Sequence, residues 1–425
     1  MNQDGDHAIQ NGFDNDQASV LRRPANLLVA TDSGNIAMVT FLLDNGANPN
    51  ERSETDQTAL HVAVAIGNQE LVQTFLAINL DIEIRDKDGN TALHVAAKTG
   101  HDSIPQILIE ASAEVNSMNA LGCTPLHIAA EYGHARVINL LLENGAKTGA
   151  TDHSESTPLH TAARSGKSDD GMARILMASE SEVVMKNKLG RTPLHVASEH
   201  GHVRAAEALL KHHADIDARD GKTRTPLYMA CKSGKWEMLY FLLAHKPGNL
   251  ELRNHTSSLH VAAGRGCLPA VKALIDNGAV VDATTKHWTT PLMLASSKGH
   301  CKVVKLLLDF GANVNREGSV ESETPLHLAS RNGHYGVVKL LLDSGANVNA
   351  EGAQYCIETS LHEASRNGHY EVVKLLLDAG ADINVKDYTQ RSPLGRALHE
   401  KKDKVAMLLR ERGAIEDPLF QNQHL

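Results

Sequence analysis

Aromatic residues are scarce in this 425-residue chain: Phe, Trp and Tyr together make up 4%. A core must therefore be built from Leu, Val and Ala, which suits tightly packed helices better than a β-sandwich. Cysteine is also sparse. Cys123, Cys231, Cys267, Cys301 and Cys356 are scattered, odd in number and never spaced C-x-x-C. That pattern argues against a disulfide framework or a zinc finger and for a reducing compartment. No apolar run approaches the length of a membrane span, so no transmembrane segment is expected. Positive charge is in deficit, with 42 Lys and Arg against 51 Asp and Glu for a net −9. The chain as a whole is expected to be repelled by nucleic acid and anionic membranes. The start, MNQDGDHAIQNGFDNDQASV, has four Asp and no Lys or Arg, unlike a signal or transit peptide. Residues 1–23 read as an acidic, disordered tail. The expected setting is cytoplasmic, with the nucleus as the second choice.

Histidine is plentiful instead, with 24 copies, and its placement exposes a repeat. The leucine of an LHxA-like word falls at Leu27, Leu60, Leu93, Leu126, Leu159, Leu194, Leu227, Leu259, Leu292, Leu326, Leu361 and Leu394. Successive gaps are 33, 33, 33, 33, 35, 33, 32, 33, 34, 35 and 33 residues. Twelve phased copies leave no room for a separate catalytic domain.

One copy, TPLHIAAEYGHARVINLLLENGA (Thr124 to Ala146), carries its own folding instructions. Thr124 is a good N-cap, and Pro125 sits at the first helical position, where its missing N–H costs nothing. Leu126, Ala129 and Ala130 form an apolar stripe that ends at Gly133, a helix-closing residue. A second helix carries Val137, Ile138, Leu140, Leu141 and Leu142 and stops at Gly145. Each helix is too short to be stable alone, so each pair must bury its faces against its neighbours. That defines a quasi-one-dimensional solenoid.

This period and the pattern in TPLHLASRNGHYGVVKLLLDSGANVN (Thr324 to Asn349) resemble the ankyrin-repeat family, over about Pro24 to Ala414. The resemblance implies an all-α fold with β-hairpin-like finger loops and inner helices lining a concave surface. With helices ~8–10 Å apart, residues 24–414 are expected to form one elongated curved array, followed by a short tail at 415–425. The end repeats read as caps with one polar outer face. The first has Leu28 where His is usual, and the last turns Lys401, Lys402, Lys404, Arg410 and Arg412 toward solvent.

The histidines are the first chemical candidates. His61, His94, His127, His160, His195, His260, His327 and His362 follow the anchor leucine, and His101, His134, His202, His300, His334 and His369 follow the closing glycine. A catalytic histidine is normally unique. Copies one repeat apart fit a structural part, and the resemblance implies that the TPLH imidazole bridges backbone and Thr groups around the turn. Three near-motifs fail. SGKS at Ser165–Ser168 has Thr161 where a phosphate loop needs glycine. HEASR at His362–Arg366 lacks the second zinc ligand, and GRGCLP from Gly264 lacks the third glycine of a dinucleotide fingerprint. No enzyme activity, metal, cofactor or small-molecule substrate is expected.

Function must then lie at positions the fold leaves open. Two residues precede each closing glycine, and the resemblance points them into the groove: Lys98-Thr99, Glu131-Tyr132, Arg164-Ser165, Glu199-His200, Lys232-Ser233, Gly264-Arg265, Ser297-Lys298, Arg331-Asn332 and Arg366-Asn367. Most contain Lys or Arg, a basic ladder suited to an acidic partner segment, although solvated cations are also ordinary there. Two fingers, Asn315–Glu323 and Asn349–Glu358, are longer than the rest. Together with Trp288 and Tyr388, Tyr355 supplies exposed aromatics of the kind that anchor partners. A third irregularity, Gly166 to Val184, adds two residues and places Gly171 at the usual start of the second helix.

The expected protein-binding residues are therefore Tyr132, Arg164, Lys232, Arg265, Trp288, Lys298, Arg331, Tyr355, Arg366 and Tyr388. The expected role is a non-catalytic scaffold or adaptor for other proteins. A recognition or regulatory subunit of a larger enzyme complex, such as a ubiquitin ligase or phosphatase, is the alternative. A metal-dependent enzyme and a nucleic-acid binder rank behind both. The resemblance also implies asparaginyl hydroxylation at Asn315, Asn349 or Asn384.

Overall fold

The computed structural model describes residues 25–78, 80–167, 169–178, 181–248, 250, 256–318, 323–352 and 358–416. Among them are 24 α-helices, one short 3-10 turn and no β-strand. The fold is the all-helical repeat architecture expected. Helices come in antiparallel-type pairs, one pair per repeat. The chain divides into two compact units, Met1–Lys222 and Thr223–Leu425.

The fourth repeat shows how the sequence writes each pair. Thr124 is extended (φ −86°, ψ 166°), and Pro125 opens the helix Pro125–Tyr132. Gly133 closes it at φ 78°, a left-handed conformation that glycine adopts without a Cβ clash. The return helix Ala135–Glu143 follows at once. Leu126, Ala129, Ala130, Val137, Ile138 and Leu141 are all buried. Each large aliphatic side chain contributes roughly 1.5–3 kcal/mol on burial. Helices of eight and nine residues fall short of the ~12–15 needed for independent stability, so the contact between repeats holds them.

The fingers are hairpin-like turns without regular strands. In the finger before the third repeat, Asp86 N–H donates to the Asn90 carbonyl (2.9 Å) and Gly89 N–H to the Asp86 carbonyl (2.8 Å). In the first unit one backbone bond links each tip to the next, as from Ala120 N–H to Asp88 (2.9 Å) and His153 N–H to Leu121 (3.0 Å). Finger bases are tied by side-chain amides: Asn116 Nδ2 donates to the Gly145 carbonyl (3.1 Å), and its Oδ1 accepts from Lys147 N–H (2.9 Å).

Three local expectations change. The first repeat lacks a polar outer face: Met38 is 45% exposed, while Leu71, Ile104 and Val137 at the same position are buried. No described residue packs where a preceding repeat would. In the last repeat, Lys402 is half-buried, and its alkyl chain lies against Gly368 where other repeats place histidine. In the fifth repeat, the helix Asp169–Ala178 runs through Gly171. The turn Ser181–Val184 then buries Glu182, whose Oε1 accepts from Thr148 Oγ1 at 2.9 Å.

Candidate protein-binding surface

The histidines are occupied by the fold. In the fourth repeat the Thr124 backbone N–H donates to His127 Nδ1 (3.1 Å), and Thr124 Oγ1 lies 2.9 Å from the same nitrogen. A nitrogen that accepts an N–H carries no proton, so the proton is on Nε2. From there it is donated to the Ser156 carbonyl of the next repeat at 3.0 Å. His61, His94, His160, His260, His327 and His362 repeat this geometry onto Asn90, Cys123, Arg191, Thr289, Glu358 and Arg391. Burial pushes all seven imidazoles below their ordinary pKa, His94 and His362 to about 4. The neutral form is the one the fold uses. The second set points backward. Nε2 of His134, His202, His300, His334 and His369 lies 3.0, 3.0, 3.1, 3.0 and 3.0 Å from a carbonyl of the preceding repeat. Among the described residues, no three His, Cys, Asp or Glu side chains gather to hold a metal ion.

The positions before the closing glycines differ in how available they are. Tyr132 is exposed and stacked on His134, with Lys98 Nζ 5.9 Å and Lys167 Nζ 4.8 Å from its ring centroid. Arg164 is exposed beside Glu131 at 3.9 Å. Lys232 and Lys298 are exposed. Arg265 caps the Lys232 carbonyl and lies over Gly234, doing there what histidine does elsewhere.

Arg331 and Arg366 are committed differently. Arg331 pairs with Glu323 and, at 2.7 Å, with Glu363. Arg366 reaches Glu363 at 2.9 Å and Glu358 at 3.6 Å. Arg396 continues the series to Glu358 and, at 2.5 Å, to Asp387. Four carboxylates and three guanidiniums thus alternate across three repeats, and Glu323, Arg331, Glu358, Glu363 and Arg366 line, with Tyr388, a cleft of about 320 Å³. Burial pushes Glu363 up, but the Arg331 hydrogen bond and the charges of Arg331 and Arg366 outweigh it and hold the carboxyl below its ordinary value. Asp387 is also held low: burial opposes this, but the hydrogen bonds from Thr389, Arg391 and Arg396 prevail. Glu358 is pushed up, by burial first. The charge of Arg331 and Arg366 is therefore largely balanced within the fold, a pairing the basic-ladder reading missed. The signal was present: Glu363 and Arg396 occupy the x of LHxA, where Val62, Val95, Ile128, Val196 and Leu328 stand in other repeats.

Two finger aromatics are open to solvent. Trp288 is 52% and Tyr388 53% exposed, with Arg316 at 5.5 Å and Arg396 at 5.9 Å from the respective ring centroids. Tyr355, and the middle of both long fingers, lie outside the described residues. Asn315 and Asn349 brace finger bases, donating to Gly345 (3.1 Å) and Gly380 (3.2 Å) and each accepting from the next finger at 2.8 Å. Asn384 Oδ1 accepts from Ile415 N–H at 2.9 Å.

Known proteins share this architecture. A family model described as ankyrin repeats (3 copies) matches residues 9–85, 27–119, 67–152, 126–220, 217–285 and 259–352. A single ankyrin repeat matches 358–388. The chain belongs to the ankyrin-repeat family. Relatives within it include the B-cell lymphoma 3 protein homolog of Mus musculus, 40% identical over 114 residues, 26% of this chain and 25% of that protein. A putative ankyrin repeat protein of Fowlpox virus (strain NVSL) is 36% identical over 109 residues, 26% of this chain and 77% of its own length. Mouse NF-kappa-B inhibitor alpha is 35% identical over 105 residues, 23% of this chain and 33% of its own. The chain therefore spans a quarter to a third of the two mouse proteins. No described helix is long and apolar enough to cross a membrane.

Proposed function

We propose that this ankyrin-repeat chain is a non-catalytic scaffold or adaptor that holds partner proteins along the ends of its first helices and its finger loops. One observation carries the reading. The twelve LH and GH histidines traced above are bonded within the fold, whereas Tyr132, Trp288 and Tyr388 remain exposed, each with a cationic side chain over its ring. Exposed aromatics and arginines contribute little to a fold and much to an interface. Lys232, Arg265 and Lys298 favour an acidic partner segment. The name of one relative, NF-kappa-B inhibitor alpha, describes action on another protein, which accords with this role. A recognition subunit of a larger enzyme complex would use the same surface, and co-purification of a catalytic chain would single it out. The expected location is cytoplasmic or nuclear, and hydroxylation of Asn315, Asn349 or Asn384 would mark finger bases.

The test is partner capture with Tyr132→Ala, Arg265→Glu, Trp288→Ala and Tyr388→Ala chains, followed by mass spectrometry. At least one variant should lose a partner that the unaltered chain holds. Unchanged partner sets for all four would sink the reading.

A further inference from the structure

Each described finger tip places one residue in the left-handed backbone region. Glycine holds that position at Gly89, Gly122 and Gly190, and small or polar residues hold it at Asp56, Glu155, Thr223 and Gln390. In the finger before the ninth repeat it is Trp288, at φ 58°. A bulky aromatic there is strained, and its indole is more than half exposed. The fold gains little from it.

Arg316, from the next finger, lies over that ring at 5.5 Å. A guanidinium stacked on an aromatic face keeps its planar N–H fork available in its own plane, the geometry that grips a carboxylate. No described carboxylate forms an ion pair with Arg316. Between the two fingers lies a cleft of about 530 Å³ lined by Trp288, Asn313, Asn315, Arg316, Glu317 and Gly318. Its floor is braced. Asn313 N–H donates to both Asp282 oxygens, at 3.1 and 3.0 Å, and the Asn315 amide ties to Gly345 and Asn347. Lys286 is exposed on the Trp288 finger, and among the described residues Glu317 is the one carboxylate lining the cleft.

We propose that this inter-finger cleft is a docking pocket for an acidic, extended segment of a partner protein. A partner Asp or Glu carboxylate seats on the Arg316 fork, and an adjacent apolar side chain packs on the indole of Trp288. This rests on the scaffold reading and deepens it: it names a site and the chemistry it selects.

The test pans a displayed random dodecapeptide library against the full chain. It then measures enriched peptides on Arg316→Gln, Trp288→Gly and Arg265→Glu chains. Glycine is the residue at three other tips, so Trp288→Gly leaves the finger folded. Enriched peptides should carry Asp or Glu next to an apolar residue. They should bind at least tenfold more weakly to the Arg316→Gln and Trp288→Gly chains, and lose affinity when the acid is amidated. Peptides without acids, or full affinity on both variants, would overturn the pocket. Peptides sensitive to Arg265→Glu alone would overturn it while leaving the scaffold reading standing. An unenriched library would count against both.

Discussion

The imidazole of His134 lies directly against Gly100 of the preceding repeat, with Nε2 3.0 Å from the Lys98 carbonyl. A Cβ built on Gly100 would sit 2.3 Å from that ring. The glycine is thus required twice, for its φ of 74° and for the space it leaves its neighbour. Gly100→Ala should cost about 2 kcal/mol or more, since the left-handed conformation alone is worth about 1–2. Hydrogen exchange should show the loss concentrated in the third and fourth repeats, because each repeat rests on its neighbours.

Acid should unfold the chain earlier than its carboxylates require. His94 and His362 stay neutral in the fold down to about 4, whereas an unfolded histidine takes up a proton near 6.5. Between these values the unfolded state binds more protons, so stability falls as pH drops from about 6.5 to about 4 and is flat above that window. Each of these two contributes about 3 kcal/mol across it. Urea unfolding from pH 7.5 to 5 measures the slope. His94→Gln, which can keep an acceptor and a donor there, should reduce it.

The alternating charges of the last three repeats should behave as one unit. Glu363 is buried between Arg331 and Arg366, so Glu363→Ala leaves two guanidiniums without their shared acceptor. A loss of about 2–4 kcal/mol is expected. In a double-mutant cycle, Arg331→Met and Glu363→Leu should show a coupling of about 0.5–3 kcal/mol. Additive losses would mean the pair does not act together.

Thiol reactivity should follow exposure. Burial pushes the Cys231 thiol up to about 12 and that of Cys123 up to about 11, whereas Cys301 is exposed. Of the four described cysteines, Cys301 should label first with a neutral-pH disulfide reagent. Cys231 should label only on unfolding. Fast native labelling of Cys231 would contradict its burial.

Tyr132→Ala should change stability by less than about 0.5 kcal/mol, as expected of an exposed side chain outside the core. A thermal melt checks this, and intact stability is what makes a lost partner in the capture experiment interpretable.

Much of this molecule was legible in one dimension. The spacing of Leu27 through Leu394, the Thr-Pro N-caps and the closing glycines define helix pairs because capping and apolar spacing act within a few residues. The structural role of the histidines was also legible, since fourteen phased copies cannot each be a catalytic base. Their partners were not. His127 bonds a carbonyl 29 residues ahead, and His134 one 36 residues behind. Arg331 and Arg366 show the limit most clearly. By position they belonged to a basic ladder, yet Glu323 and Glu358 reach them from the preceding fingers, and Glu363, three residues from Arg366, also reaches back to Arg331 of the repeat before. Arg316, unremarkable in sequence, lies over Trp288.

The sequence by itself therefore determined the repeat, its helices and its buried stripe, because propensity, capping and hydrophobic periodicity are local. The tertiary structure decided which surface charges remain available and which are neutralised. Charge pairing depends on distances across stacked repeats, and only folding sets those distances.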